Sequence, residues 1–238
     1  MNKQQKNSII YACAIGDGCV RLRKSGLAFL QITHGLKQAE YLKWKIELLK
    51  NALNQKELKI HYGNGKDYYI GSKLYTGKKA YVWTKFTKKW TKVYRFLYKN
   101  GHKRINRYCL NRLDARGLAI WYMDDGSLNN QKIINLNTYT KDYSEHVGIK
   151  KWFKEKWNID VKIIFRPERN NAYYIWINNT NSKKLINIIA PYVLEIPDMV
   201  YKIDMKYKRN RGNNLNYNLN RLSELYGNIE KRTEMFRS

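Results

Sequence analysis

Twice in this chain an apolar run stops abruptly at an aspartate and a glycine. Leu118-Ala119-Ile120-Trp121-Tyr122-Met123-Asp124-Asp125-Gly126 is the clearer copy, and Ser8-Ile9-Ile10-Tyr11-Ala12-Cys13-Ala14-Ile15-Gly16-Asp17-Gly18 is the other. Each reads as a helix buried on most faces, and Gly126 suits the left-handed residue that follows many helix ends. An Asp at that end opposes the helix dipole, which already concentrates negative charge there. The arrangement costs stability unless a cation sits nearby. Asp17 and Asp125 are 108 residues apart, with similar strand-like and helix-like stretches after each. Such an internal repeat predicts two similar units in one polypeptide.

Periodicity fills in the units. Ser8 is the expected N-cap of the first helix. Residues 19–24 and 27–33 alternate as a hairpin around Ser25-Gly26, and 37–53 have helical spacing. Strands are expected over 58–62, 68–75 and 80–87, divided by glycines, and a helix over 89–98. A polar, basic connector spans about 99–113, with Asp114 capping the second helix. Then come a strand over 132–138, a helix over 143–157, strands over 160–166 and 172–177, and a helix over 181–189 that Pro191 stops. Each half reads α-β-β-α-β-β-α, an α+β unit with an antiparallel sheet. The expected domains are 1–100, 101–205 and a basic tail over 206–238.

Charge narrows the partners. Lys and Arg number 46 against 19 Asp and Glu, a net +27. A surplus this large spread along a chain is self-repulsive without a polyanion, and nucleic acid is the expected partner. The three cysteines show no CxxC pairing, which argues against a disulfide framework or zinc site and for an intracellular, reducing compartment. Heavy use of Lys, Asn, Ile and Tyr suggests a phage-infected bacterial cytoplasm or an organelle, mitochondrion or chloroplast. No apolar run is long enough to span a membrane, and Met1 to Asn7 are too short and polar for a secretory signal.

If the two buried helices pack side by side, Asp17 and Asp125 emerge together, and each faces its own helix dipole. A hard divalent cation relieves both penalties, and Mg²⁺ is the expected one. Acids holding metal over a phosphodiester can activate water and stabilise the leaving oxygen. A twisted antiparallel ribbon fits the major groove and presents alternate side chains to it. Arg21, Arg23, Lys73, Arg166 and Arg169 are the candidate DNA contacts.

Both apolar stretches resemble the LAGLIDADG motif of homing endonucleases, and two copies in one chain resemble that family's monomeric type. Leu118 to Gly126 keeps Leu, Ala, the final Asp and Gly; the first copy lacks the opening Leu-Ala and the first Asp. The resemblance covers about residues 8–204. It implies two pseudo-symmetric units packed through their motif helices, with antiparallel sheets forming a DNA-binding saddle. It also implies cleavage of both strands of a long asymmetric duplex, across the minor groove, leaving short 3′ overhangs. Metal falls to the final acids, Asp17 and Asp125, with Gly16 and Asp124 as neighbouring candidates; Asp124 could instead cap the helix or pair with a base. Mn²⁺ is expected to substitute for Mg²⁺. By position the family's active-site lysines are similar to Lys103 and Lys202. Where the family often has a water-orienting Gln, this chain has His34 in one half and Tyr139 in the other. Two other functions suit the scaffold: an RNA maturase that binds its intron RNA, and a DNA-binding regulator that does not cleave.

Overall fold

The computed structural model describes residues 1–70 and 73–206 of the 238, with side chains omitted at 66–70, 73–76 and 139. The expected tail over 206–238 lies, but for its first residue, outside the described residues. Two compact units emerge, Met1–Ile120 and Trp121–Ser238.

In the first unit, α1 spans Lys3–Ile15. It begins five residues before Ser8, because Asn2 and Gln5 form a reciprocal capping box, each side chain 2.9 Å from the other's backbone nitrogen. From Ser8 to Ile15 every residue is buried, so solvent reaches only the first turns. After it come β1 (Cys19–Leu22), β2 (Ala28–Gly35), α2 (Ala39–Leu53), β3 (His61–Ile70), β4 (Lys73–Trp83) and α3 (Lys88–Leu97). The sheet is antiparallel in the order β1-β2-β4-β3. Ala28, Leu30, Ile32 and His34 of β2 point inward, while Phe29, Gln31 and Thr33 line the open face, the period-2 pattern of a sheet covered on one side.

Two long strands replace the three expected over 58–87. The glycines do not divide them. A Cβ on Gly65 would stand 3.0 Å from the Gly77 carbonyl oxygen, and the register shifts between Asn64 and Asp67, so these glycines admit a close backbone approach within the ladder.

The connector is also more ordered than its polarity suggests. Two-residue strands β5 (Tyr98–Lys99) and β6 (His102–Lys103) pair around Asn100 and Gly101, both at positive φ, the tight hairpin that Asn-Gly favours. A short helix α4 (Arg107–Leu110) leads to α5 (Ala115–Asp125). Asp114 caps α5 as expected, its Oδ1 accepting from the Gly117 N–H at 2.9 Å. Within the first unit the opening turns of α5 lie against α1. Ser8 Oγ donates to Asp114 Oδ1 at 2.7 Å and accepts from the Asp114 N–H at 2.9 Å. A Cβ on Gly117 would stand 2.2 Å from Ser8 Oγ. These bonds tie the connector to the first unit, and the boundary falls inside α5, later than the expected 100/101 join.

The second unit repeats the plan with β7 (Gly126–Leu128), β8 (Ile134–Thr140), α6 (Tyr143–Trp157), β9 (Lys162–Arg166), β10 (Ala172–Ile177) and α7 (Asn179–Val193). Its sheet is antiparallel in the order β7-β8-β10-β9, the same arrangement as in the first unit. The likeness extends to helix ends: α2 stops at Asn54 and α6 at Asn158, both left-handed. In the core Trp121 stacks on Phe153, which meets Trp152 edge-on, and Trp152 lies tilted against Trp121. Helix α7 continues through Pro191 to Val193 instead of stopping before it. Proline removes one donor here, and the carbonyl four residues back belongs to the exposed Asn187. Among the described residues no helix is long and apolar enough to cross a membrane.

Candidate active site

Both motif helices end in the same construction. Helix α1 closes with Gly16, whose N–H reaches the Ala12 carbonyl at 3.0 Å, and the Gly18 N–H bonds the Cys13 carbonyl at 3.1 Å. Neither Gly18 nor Gly126 adopts the left-handed conformation expected of a helix-ending glycine; positive φ among the described glycines occurs at Gly26 and Gly101. Space is the requirement instead. A Cβ on Gly18 would stand 2.1 Å from the Cys13 carbonyl oxygen, and one on Gly126 would stand 2.2 Å from the Tyr122 ring. The chain folds back so tightly over each helix end that no side chain fits.

The cation that these helix ends call for is present in each unit. Lys103 Nζ donates to the carbonyls of Ile15 (3.3 Å), Gly16 (2.7 Å) and Gly18 (2.7 Å). Lys202 Nζ donates to the carbonyls of Met123 (2.5 Å) and Gly126 (2.9 Å), and its own carbonyl accepts from the Tyr122 hydroxyl. An ammonium on the last carbonyls of a helix neutralises the negative end of the dipole and satisfies acceptors with no partner inside the helix. Lys202 is buried and Lys103 half-buried. The Tyr122 hydroxyl is held in its neutral form because burial pushes its pKa up.

The acids sit beside these lysine-capped turns. Asp17 follows α1 with its side chain 39% exposed, and Oδ2 lies 3.5 Å from His34 Nδ1. Asp125 is the last residue of α5. Its Oδ2 accepts from Trp121 Nε1 at 3.0 Å, and its backbone oxygen accepts from Asn137 Nδ2 at 3.0 Å. Asp124, next to it, is half-buried. The Gly16 carbonyl, a candidate metal ligand, accepts the Lys103 ammonium.

His34 is buried, so it presents itself to Asp17 from inside the unit and not from the open face. Its Nε2 meets Lys45 Nζ at 3.1 Å. Lys45 escaped notice in the sequence although a signal was there: it occupies the apolar stripe of α2 with Tyr41, Leu42, Ile46 and Leu49. In the second unit Thr138 occupies the position of His34 in its sheet, bonded through Oγ1 to His146 Nε2 at 2.6 Å.

The open sheet faces carry the basic candidates unevenly. Arg21 is exposed on β1, opposite Phe29. The Arg23 guanidinium lies 4.3 Å from the Phe86 ring centroid. Arg166 stacks 4.3 Å from the Tyr174 ring, with Nε 3.7 Å from Glu168, and Arg169 is exposed at the end of the turn after β9. Lys73 opens β4, and its side chain lies outside the described residues. Cations on aromatic rings also occur at Lys79 over Tyr81 (5.6 Å), a pair signalled by the alternation Lys79-Tyr81-Trp83 around buried Ala80 and Val82, and at Lys162 over Trp176 (5.3 Å).

Comparisons with known proteins identify the family and the fold. The LAGLIDADG DNA endonuclease family matches residues 7–185. A relative named "Probable intron-encoded DNA endonuclease 3", from Mycosarcoma maydis, is 30% identical over 98 residues, covering 41% of this chain and 68% of its own. "Cytochrome b mRNA maturase bI2" of Saccharomyces cerevisiae is 29% identical over 213 residues, 82% of this chain and 46% of its own. The chain spans about half the length of most of the curated relatives it matches. Among solved structures, the homing endonuclease I-WcaI bound to its DNA recognition sequence aligns with a TM-score of 0.68 and 22% identity over 87% of this chain and 88% of that one. I-DmoI in complex with DNA and Mn aligns at 0.50 with 16% identity over 79% and 97%. At these identities the structural likeness establishes the fold.

Proposed function

The chain belongs to the LAGLIDADG DNA endonuclease family, and from that premise we propose that it is a site-specific nuclease hydrolysing both strands of a long, asymmetric duplex. The observation that carries this reading is the repetition, in each unit, of a carboxylate beside a helix end whose carbonyls a lysine ammonium covers. A purely structural helix end gains nothing from an acid placed against its own dipole.

The donor set suits a hard divalent cation. Carboxylates and carbonyl oxygens are the ligands Mg²⁺ takes alongside water and phosphate, and the relative I-DmoI has been solved with Mn and with Ca. Each unit would hold metal through its own motif acid, Asp17 in the first and Asp125 in the second, Mg²⁺ with Mn²⁺ as substitute, with the Gly16 carbonyl and Asp124 as the neighbouring oxygens of the same units. When bound, the cation supplies charge stabilisation at the phosphate and an activated water. Trp121 fixes the orientation of the Asp125 carboxylate. Lys103 and Lys202 bring positive charge to each site, favouring the extra negative charge that builds on a phosphorane-like transition state. His34 orients Asp17. Arg21, Arg23, Lys73, Arg166 and Arg169 meet phosphates or base edges on the duplex. Because one chain carries both motifs, it works as a monomer.

Selection of cleaved sites from a randomised duplex library with Mg²⁺ tests this directly. A long, non-palindromic consensus with short 3′ overhangs is expected; no enrichment overturns the reading. The similarity to the bI2 maturase favours a second reading, binding of intron RNA on the same scaffold, which a splicing assay with the cognate intron would detect.

A further inference from the structure

Among the described residues, Lys45 interrupts the buried apolar stripe of α2. It has no exposed surface, its Nζ lies 4.5 Å from the Tyr41 ring centroid, and it meets His34 Nε2 at 3.1 Å. Taking an ammonium out of water is expensive. The fold does not require it. Helices α2 and α6 start at Ala39 and Tyr143, and the residue of α6 at the same distance from its start is Ile149, which is fully buried. The second unit thus fills the equivalent position with a hydrocarbon. The partner position differs too: β1–β2 and β7–β8 pair Val20 with Leu30 and Leu128 with Ile134, which brings His34 and Thr138 into correspondence.

The chemistry of the pair fixes the imidazole. An ammonium carries no lone pair, so Lys45 donates and His34 Nε2 accepts. Neutral imidazole has one N–H, which then resides on Nδ1, and Nδ1 is the atom that faces Asp17 Oδ2 at 3.5 Å. With Nε2 occupied, His34 cannot serve as the base that takes a proton from water through that nitrogen. It serves as a donor aimed at the carboxylate.

We infer that Lys45 is a positioning residue, which holds His34 in its Nδ1–H tautomer so that Asp17 is oriented by a hydrogen-bond donor. The second unit orients Asp125 by Trp121 and Asn137 instead, with an apolar residue where Lys45 stands. The two acids therefore act in unequal settings, and cleavage of one strand depends on Lys45 while cleavage of the other does not. This inference rests on the nuclease reading for its strand-specific consequence, but its tautomer does not.

The test is Lys45→Met, which keeps the length and fills the same volume without the charge. Using the full chain, the ¹⁵N imidazole spectrum is recorded without metal or DNA, and strand-specific cleavage is followed on a duplex labelled at both 5′ ends with Mg²⁺. In the wild type, His34 shows protonated Nδ1 and bare Nε2; in the variant the tautomers mix. One strand is then cut roughly 10- to 100-fold more slowly, the range found when a group that orients a metal-binding ligand is lost. The other strand keeps its rate, nicked duplex accumulates, and DNA affinity is unchanged. An unaltered His34 tautomer overturns the inference, as does equal slowing of both strands or slowing of neither. Should the wild-type protein cut no duplex, the nuclease reading fails by itself, and the spectrum alone decides the role of Lys45.

Discussion

The Lys103 ammonium lies 2.7 Å from the carbonyl oxygen of Gly16, the residue that caps α1 and precedes Asp17. Placed there, a cation does two things at once. It quenches the negative pole of α1 and it satisfies carbonyls near the helix end, those of Ile15, Gly16 and Gly18. Lys202 repeats the arrangement for α5 in the second unit. The acid and its lysine are thus one device, built from residues far apart in the chain.

Removal of the lysines should separate the two units by burial. Lys202→Met leaves carbonyls of a buried helix end unbonded and is expected to destabilise the second unit by roughly 2–3 kcal/mol, since bonds to charged groups contribute more than neutral ones. Lys103→Met, at a half-buried site, costs less. Denaturant unfolding of both variants checks the order; equal and negligible losses would contradict it.

Most of the fold could be read from the chain, and the failures have physical causes. Alternation and helical spacing located β10 to the residue, because its inward and outward positions face different solvents. The Asn100-Gly101 hairpin went unread because its strands are only two residues long and its composition is that of a linker, yet it returns Lys103 to the end of α1. Ser8 looked like a cap, but the favourable partner for its hydroxyl was Asp114, a tertiary bond that local propensity cannot anticipate. At the site, the aspartates stand out through the repeat, whereas Lys103 and Lys202 are reached only through the family resemblance. Lys45 was not legible, because a lysine in an apolar stripe acquires meaning only when His34 is seen against it.

Tight turns over the helix ends make Gly18 and Gly126 sensitive to a single methyl group. Alanine at Gly126 meets the Tyr122 ring at 2.2 Å and the Tyr122 carbonyl oxygen at 2.5 Å. Because backbone cannot yield as a side chain does, Gly126→Ala should cost about 1–3 kcal/mol. A fall in the denaturation midpoint with an unchanged slope is the expected result.

Acid should weaken the second unit through His146. Burial lowers its pKa below the ordinary 6.5, opposed in part by the Asp142 carbonyl and carboxylate and by the Tyr173 carbonyl. Its Nδ1 donates to the Asp142 carbonyl at 3.0 Å, and Nε2 accepts from Thr138. Below pH 6.5 the unfolded chain binds a proton that the native state resists, so this contribution is whole above 6.5 and lost as pH falls through the native pKa. In His146→Gln the stability should fall less over that interval. The comparison is a pair of denaturation series from pH 7.5 to about 5.

Asp125→Asn puts the central claim to the most direct trial, with cleavage and binding measured on one labelled target duplex in Mg²⁺. The exchange keeps the size of the side chain and removes the charge that would hold metal. Loss of double-strand cleavage with DNA affinity equal to or above that of the wild type is the predicted result. Cutting at the wild-type rate would contradict it, and with it the assignment of catalysis to the acids at the motif-helix ends.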